Sequence, residues 1–436
     1  MNYNLSTMNY ELSAMSYLPC AMPYAPCAMR FALYALLIFT PLARGSVHGW
    51  AVGIVHLVTL IALSAFLLDK SLRWEWKWIR TPLDRPIGLL LILCVVSSFF
   101  SAHPRSSLWA SVLLINYVVI FYLTIHTVNT RSQFRQLAYL IIGVATFLSI
   151  FGLFKRLGAN PFPWWDYGDL KYVPDFLSST YGNNNHLAGY LEMAIPLILG
   201  LLLTGFRPAI LFILAYLSLL LLTALVLTLS RGGWIGSLLG LSFMASAMLT
   251  SRYFKRKGFL MALIGGSLAL SLIVLSSTPV VERVRTVMQR AQETSFHSRM
   301  VAWKGVAQMI GEHPLLGTGP GTFASVFTQY QPAGLSRRFT KAHNDYLHAT
   351  SELGLPLVVI LAWMIMAFYK KGFNKLENPS RLVRGTTLGA MSGVTAILFH
   401  SIIDFNLHIP ANALLFTVLV AIVVAPLPQG NMGRMQ

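Results

Sequence analysis

Charge is scarce in this chain, and negative charge is scarcer still. Only 11% of its 436 residues are charged, with Asp and Glu numbering 15 against 33 Lys and Arg. Hydrophobic residues make up 55% and the mean hydropathy is +0.61. That leaves too little polar surface to cover a soluble core of this size, which excludes an ordinary water-soluble domain. Cysteine is nearly absent as well: Cys20 and Cys27 lie in an N-terminal repeat and Cys94 in an apolar run. Neither a disulfide framework nor a Cys-based metal site is indicated. No acidic pair of the sort that holds Mg²⁺ on a diphosphate stands out. His186, His313, His348, His400 and His408 keep a zinc site formally open, but none shows HExxH spacing.

What the chain has is apolar length. Windows of roughly 20 apolar residues pick out about twelve candidate spans, near 30–43, 49–68, 87–101, 107–126, 136–154, 186–205, 208–229, 232–250, 258–278, 347–369, 385–403 and 411–427. The expectation is an all-α polytopic membrane protein. Short Lys/Arg-rich connectors at 69–85, 127–135, 251–257 and 370–384 all fall on one side if each span crosses once. By the positive-inside rule that side is cytoplasmic, which also places both termini inside. The opposite face receives the two long connectors, near 155–185 and 279–345. The second is far longer than an ordinary connection, which marks it as functional or as a small external layer.

That outer loop is rich in cations: Arg283, Arg285, Arg290, Arg299, Lys304, Arg337, Arg338 and Lys341 stand against Glu282, Glu293, Glu312 and Asp345. An anionic ligand on that face accounts for the excess; contact with anionic lipid headgroups is the alternative. Residues 1–28 are of another kind. "MNYNLST MNYELSA MSYLPCA MPYAPCA" repeats Met every seventh residue, yet Pro19, Pro23 and Pro26 and the lack of an apolar seam argue against a coiled coil. The stretch reads as a low-complexity leader, with a single transmembrane domain over 29–427, including the loop 279–345, and a cytoplasmic tail over 428–436.

Polar groups collect at particular span ends. "STYGNNNHLAGY" carries Asn183, Asn184, Asn185 and His186; "TLSRGGW" carries Ser230 and Arg231; "HSRMVAWKG" carries Arg299; "KAHNDYLHATSELG" carries His343, Asp345 and Glu352; "HSIIDFNLHIPAN" carries Asp404 and His408. Even numbers of crossings separate them, so all are expected on the outer face. Arg231 lies between two apolar runs with no room for a loop. A charge there is a functional candidate by default, although an arginine that snorkels to headgroups would look the same. Gly232 and Gly233 would open a helix whose free N–H groups add to an anion site. His343 sits just before the tenth span, with Asn344 or Asp345 as a helix cap. It reads either as a proton acceptor or as a capping residue. Glu352 is more than two helical turns from His343, too far to orient it, whereas Asp345 or Asp404 could. On one helix His348 would face away from His343 and tolerate substitution better.

In order and spacing, "LTLSRGGWIG", "RMVAWKGVAQMIGEHPLLGTGPGTF" and "HNDYLHATSELGLPLVV" resemble the O-antigen ligase and polymerase family of bacterial membrane glycosyltransferases. "YGNNNHLAGYLEMAIPL" and "HSIIDFNLHIPANALLF" are similar to its flanking elements, and the likeness covers most of 29–427. The resemblance implies a GT-C-like helical architecture in the bacterial inner membrane with a periplasmic active site. It implies a donor glycan carried on undecaprenyl diphosphate and transfer to a lipid A-core sugar hydroxyl, inverting, metal-independent and without cofactor. The family's essential histidine falls on His343 and its two arginines on Arg231 and Arg299. Asn184, His186, Lys304, Arg337, Arg338, Lys341, Asp345 and Asp404 are then candidates for binding substrate. Nothing points to nucleic acid. Two alternatives stay open: a polymerase joining lipid-linked repeat units, and a flippase or exporter. A flippase would need a charged path through the membrane interior, whereas the polar groups gather at one face.

Overall fold

The computed structural model describes residues 25–74, 76–162, 176–204, 207–250, 258, 265, 297–333, 335 and 338–426. Residues 1–24 of the 1–28 leader, nearly all of the 258–278 window, Arg337, residue 427 and the tail 428–436 lie outside the described residues, while residues 25–28 of the leader belong instead to the first helix. Among the described residues all regular structure is helical.

The helices are α1 (Ala25–Leu42), α2 (Gly49–Arg73), α3 (Asp84–Phe99), α4 (Pro104–Thr127), α5 (Arg131–Arg156), α6 (Asn184–Leu202), α7 (Pro208–Leu227) and α8 (Arg231–Thr250). There follow α9 (297–312), the single turn α10 (Phe323–Val326), α11 (Asp345–Leu353), α12 (Pro356–Leu376), α13 (Arg381–His400) and α14 (Pro410–Val424). Local chemistry explains where many begin. Pro104, Pro208, Pro356 and Pro410 open their helices, where a missing N–H costs nothing. Thr130 and Gln133 form a reciprocal capping box on α5, and the Asn183 side chain caps α6 by accepting from the Asn185 and His186 N–H groups.

Eight of these helices are long and apolar enough to cross a membrane by length and composition. The shorter α1, α3 and α14 fall on other expected windows. The tenth window is not one helix. Gly354 takes φ 79° and Pro356 follows, so the chain breaks into the mostly polar α11 and the apolar α12.

Two helices form the centre. Protein surrounds 94% of the apolar stretch of α6 and 83% of that of α13, against 28% for α2 and 22% for α12. The inner pair meets backbone to backbone, because a side chain at Gly200, Gly385, Gly389 or Gly393 would overlap main-chain atoms of the facing helix. The outer helices leave large apolar side chains such as Leu57, Phe212 and Val359 exposed, as a lipid-facing rim does.

The described part of the long connector is a folded layer. Ala302, Val306, Met309, Phe323, Val326, Phe327 and Ala342 form a small separate core. Its glycine-rich segment is stitched to the bundle end: Ala102 N–H donates to Thr318 O at 3.0 Å, Thr318 N–H to Ser351 O at 3.1 Å and Leu355 N–H to Pro314 O at 2.7 Å. The Glu352 carboxylate accepts from Gly321 N–H at 2.8 Å and Phe323 N–H at 2.9 Å.

Candidate active site

The polar segments expected on one face do meet at one end of the bundle. His343 lies two residues ahead of α11 with φ 50°, a left-handed backbone that a residue with a Cβ seldom adopts. Asn344 follows as the helix cap, accepting from Leu347 N–H at 2.9 Å. His343 is therefore not on the helix that carries His348, and a rotation angle counted along one helix does not relate the two. The turn aims the imidazole at the α13–α14 corner. There Nδ1 stands 3.3 Å from Asp404 Oδ1, with the histidine side chain 28% exposed and the aspartate 3%. The Phe405 ring closes one side, its centroid 4.8 Å from that of the imidazole.

Asp404 is the hub. Its Oδ2 accepts from Asn185 Nδ2 at 2.8 Å and its Oδ1 from Phe405 N–H at 2.9 Å. Burial pushes its carboxyl upward, but the His343 hydrogen bond and the Arg299 charge outweigh that and hold it well below the usual carboxylate range. Arg299, on the first turn of α9, is itself anchored by donating to the Ile403 carbonyl next door. An ionised Asp404 favours an Nδ1–H tautomer of His343, which leaves Nε2 as the open acceptor.

Arg231 begins α8 at the same end. Ser230 Oγ accepts from Gly233 N–H at 3.2 Å, so only part of that first turn is left to face a ligand. Gly232 packs on His400 so closely that a Cβ would overlap the imidazole; this glycine is needed for close approach. The whole α8 entry is thus pressed against the last residue of α13, one turn from Asp404.

The other candidates scatter. Asn184 donates to Thr228 O at 2.8 Å and ties α6 to the α7–α8 corner; its neighbour Asn185 is the one at Asp404. His186 is buried against Phe405 with ring centroids 5.1 Å apart. Asp345 pairs with His408 Nδ1 at 2.5 Å and accepts from Leu407 N–H, so of the two acids considered for orienting His343 only Asp404 touches it. Lys304 is exposed on α9. Arg338 is exposed and donates to Ala324 O at 2.7 Å, bracing the outer layer. Arg337 lies outside the described residues.

Lys341 instead lines a cavity of about 470 Å³ between α3, α4, α12 and α14. Its walls are apolar, with Ile87, Leu114, Leu361 and Phe416 among them, and its polar end holds Lys341, His348, Glu352 and His408. Burial lowers the Lys341 ammonium from its ordinary range. His348 is 1% exposed, its ring 4.3 Å from Phe323 and 4.1 Å from His408, centroid to centroid. It points into packed protein, and tolerance of alanine is not what such a site implies. Burial, reinforced by His408, lowers it to about 4, and its Nε2 sits 3.3 Å from Glu352 Oε1. Burial raises the Glu352 carboxyl, but His348 and the Gly321 and Phe323 N–H groups hold it down to about 2. Sequence reasoning set Glu352 aside as a partner for His343, correctly, and missed that it clamps the outer layer. Among the described residues no group of three or more His, Cys, Asp or Glu is placed to hold a metal ion.

Fold and site together define a multi-pass helical membrane protein with a histidine–carboxylate pair and arginines at one end of its bundle. Residues 216–362 match the family model described as O-antigen ligase. The matched segment includes Arg231, Arg299 and His343 but not Asn185 or Asp404, which reach the site from α6 and the α13–α14 corner. No curated protein matches the chain.

Proposed function

We propose that the protein is an O-antigen ligase that moves a glycan from undecaprenyl diphosphate to a lipid A-core sugar hydroxyl at the periplasmic face. The observation that carries this reading is the His343–Asp404 pair set beside Arg299, at the bundle end where α8 presents Arg231. In the proposed step the acceptor hydroxyl attacks C1 of the donor sugar opposite the diphosphate. The new C1–O bond forms as the old one breaks, so configuration inverts. The hydroxyl proton passes to His343 Nε2, and the imidazolium so formed is stabilised by Asp404. Negative charge grows on the leaving diphosphate, where Arg231 and Arg299 hold it; such electrostatic stabilisation is commonly the largest catalytic contribution. Charge neutralisation by guanidinium makes the reaction independent of metal ions. The apolar cavity headed by Lys341 suits the prenyl chain of the carrier, with the ammonium near its phosphates.

The test is the fate of glycan in a deletion strain. Finished polymer stranded on the lipid carrier is the expected result. Single repeat units attached to lipid A-core would instead assign the protein as a polymerase, and glycan held on the cytoplasmic side would make it a flippase.

A further inference from the structure

One strongly polar pair lies outside the machinery just described, in the middle of the bundle. Glu192 Oε1 on α6 is 3.0 Å from His400 Nδ1 at the end of α13, and the two side chains are 0% and 1% exposed. Their other polar atoms, Glu192 Oε2 and His400 Nε2, are buried without a hydrogen-bond partner among the described residues. A buried acid–imidazole pair is an expensive way to fill a core, since apolar residues of the same volume often do as well or better. Here the neighbourhood is also shaped around it: Gly236 leaves room for the Glu192 carboxylate, and Gly232 for the His400 ring.

The pair is joined to the candidate site twice. Asp404 N–H donates to His400 O at 3.1 Å, so His400 and Asp404 are one turn apart. On α6, Glu192 is seven residues after Asn185, two turns along the same face, and Asn185 holds Asp404. Along this line acids and imidazoles alternate: Glu192, His400, Asp404, His343. We propose that Glu192 is a positioning residue for the site, acting through His400 on Asp404 and thereby setting how readily His343 binds a proton. This rests on the function proposed above only in calling His343 the base; the electrostatic coupling can be read without it.

The sign follows from the charges. Glu192 is the group that would hold a proton on His400 Nδ1, and an imidazolium there, beside Asp404, would offset part of that carboxylate's pull on His343. Replacing Glu192 by Gln removes the reason for His400 to hold its proton. The pull of Asp404 is then less compensated, and His343 takes up a proton at higher pH. Other charged or titratable groups at the site include Arg299, Arg231 at the α8 entry, Lys341 two residues before His343, His186, and Asp345 paired with His408, while Phe339 and Phe405 supply rings. His400 is faced by Glu192, Asp404, Asp345 and His186, and the α8 entry that begins with Arg231 packs on it at Gly232. Of these, the substitution removes only the Glu192 carboxylate and the proton it would hold on His400.

The experiment is carbethoxylation of His343 by diethyl pyrocarbonate, which modifies neutral imidazole, followed by peptide mass spectrometry across pH. It uses the full chain in detergent, wild type against Glu192→Gln and Glu192→Asp. The expected result is a midpoint about a few tenths of a pH unit higher in Glu192→Gln, since the carboxylate and the His400 proton are lost together and the nearer cation leaves the larger effect, and a smaller shift in Glu192→Asp. The acid limb of the rate profile should move with it. An unchanged labelling midpoint in folded Glu192→Gln overturns the proposal and leaves the pair a packing feature. If Glu192→Gln fails to fold, His400→Gln serves, because removing the same cation must raise the midpoint too. A shifted midpoint in a protein that transfers no glycan keeps the inference and sinks the functional reading.

Discussion

At the scale of single residues the backbone of His343 separates two explanations of that position. A residue at φ 50° is held there at a cost, and asparagine tolerates the left-handed region better than histidine does. His343→Asn should therefore fold at least as well as wild type. If the imidazole is the base, its transfer rate should still drop by roughly 10²–10⁴-fold, the usual contribution of such a group. Retained activity in a reconstituted assay at matched protein level would make the residue an architectural element. Arg231→Lys is expected to remain impaired, because a point charge does not reproduce the guanidinium fork on phosphate oxygens; donor titration against wild type reads this directly.

At the scale of elements, the glycine-rich segment and α11 behave as one clamp. Glu352 holds two backbone N–H groups and His348 stacks under Phe323. Both groups bind protons less readily folded than unfolded, so acid weakens the clamp. His348 contributes stability above its ordinary value of 6.5, lost as pH falls toward about 4, and Glu352 adds stability above 4.5 that is lost toward about 2. Limited proteolysis of the outer layer should accelerate from about pH 6.5 downward. Glu352→Gln should show faster cleavage already at pH 7, since a neutral amide accepts those N–H bonds less strongly. Lys375 performs a similar task at the opposite end, donating to Ile422 O and Ala425 O at the close of α14. Lys375→Met should cost roughly 1–3 kcal/mol by leaving those carbonyls unpaired, measured as a lower midpoint in thermal unfolding.

The whole molecule offers two tests. If the positive-inside assignment holds, cysteine placed at Lys304 or Arg338 should react with an impermeant thiol reagent from the periplasm. Cysteine at Lys371 should react only after the membrane is opened. The reverse pattern would invert the topology and remove the periplasmic reading. Chelation is the second: with guanidinium groups assigned to the diphosphate, EDTA should leave transfer by the purified protein unchanged. Activity lost to EDTA and restored by Mg²⁺ or Mn²⁺ would overturn that assignment.

Composition and span parity alone made this a helical membrane protein and sent its polar segments to one end, because apolar length and crossing number are properties of the chain read in order. Arg231, Arg299 and His343 could be singled out for the same reason: each is a charged or titratable group beside an apolar run, or in a motif of recognisable order. Partnership was another matter. Nothing in the order of residues says that Asn185 rather than Asn184 faces Asp404, that Asp345 belongs to His408, or that Glu352 serves the outer layer. Those choices depend on rotation about a helix axis, where one residue is a turn of about 100°, and on which helix lies opposite. The break at Gly354 was visible as Gly-Leu-Pro but was overrun by the hydropathy on either side. Glu192 was visible as a lone acid in an apolar window, a signal in its own right. Only packing, with α6 and α13 in backbone contact at the centre, decides that its partner is His400, since such a contact joins residues 208 positions apart in the chain.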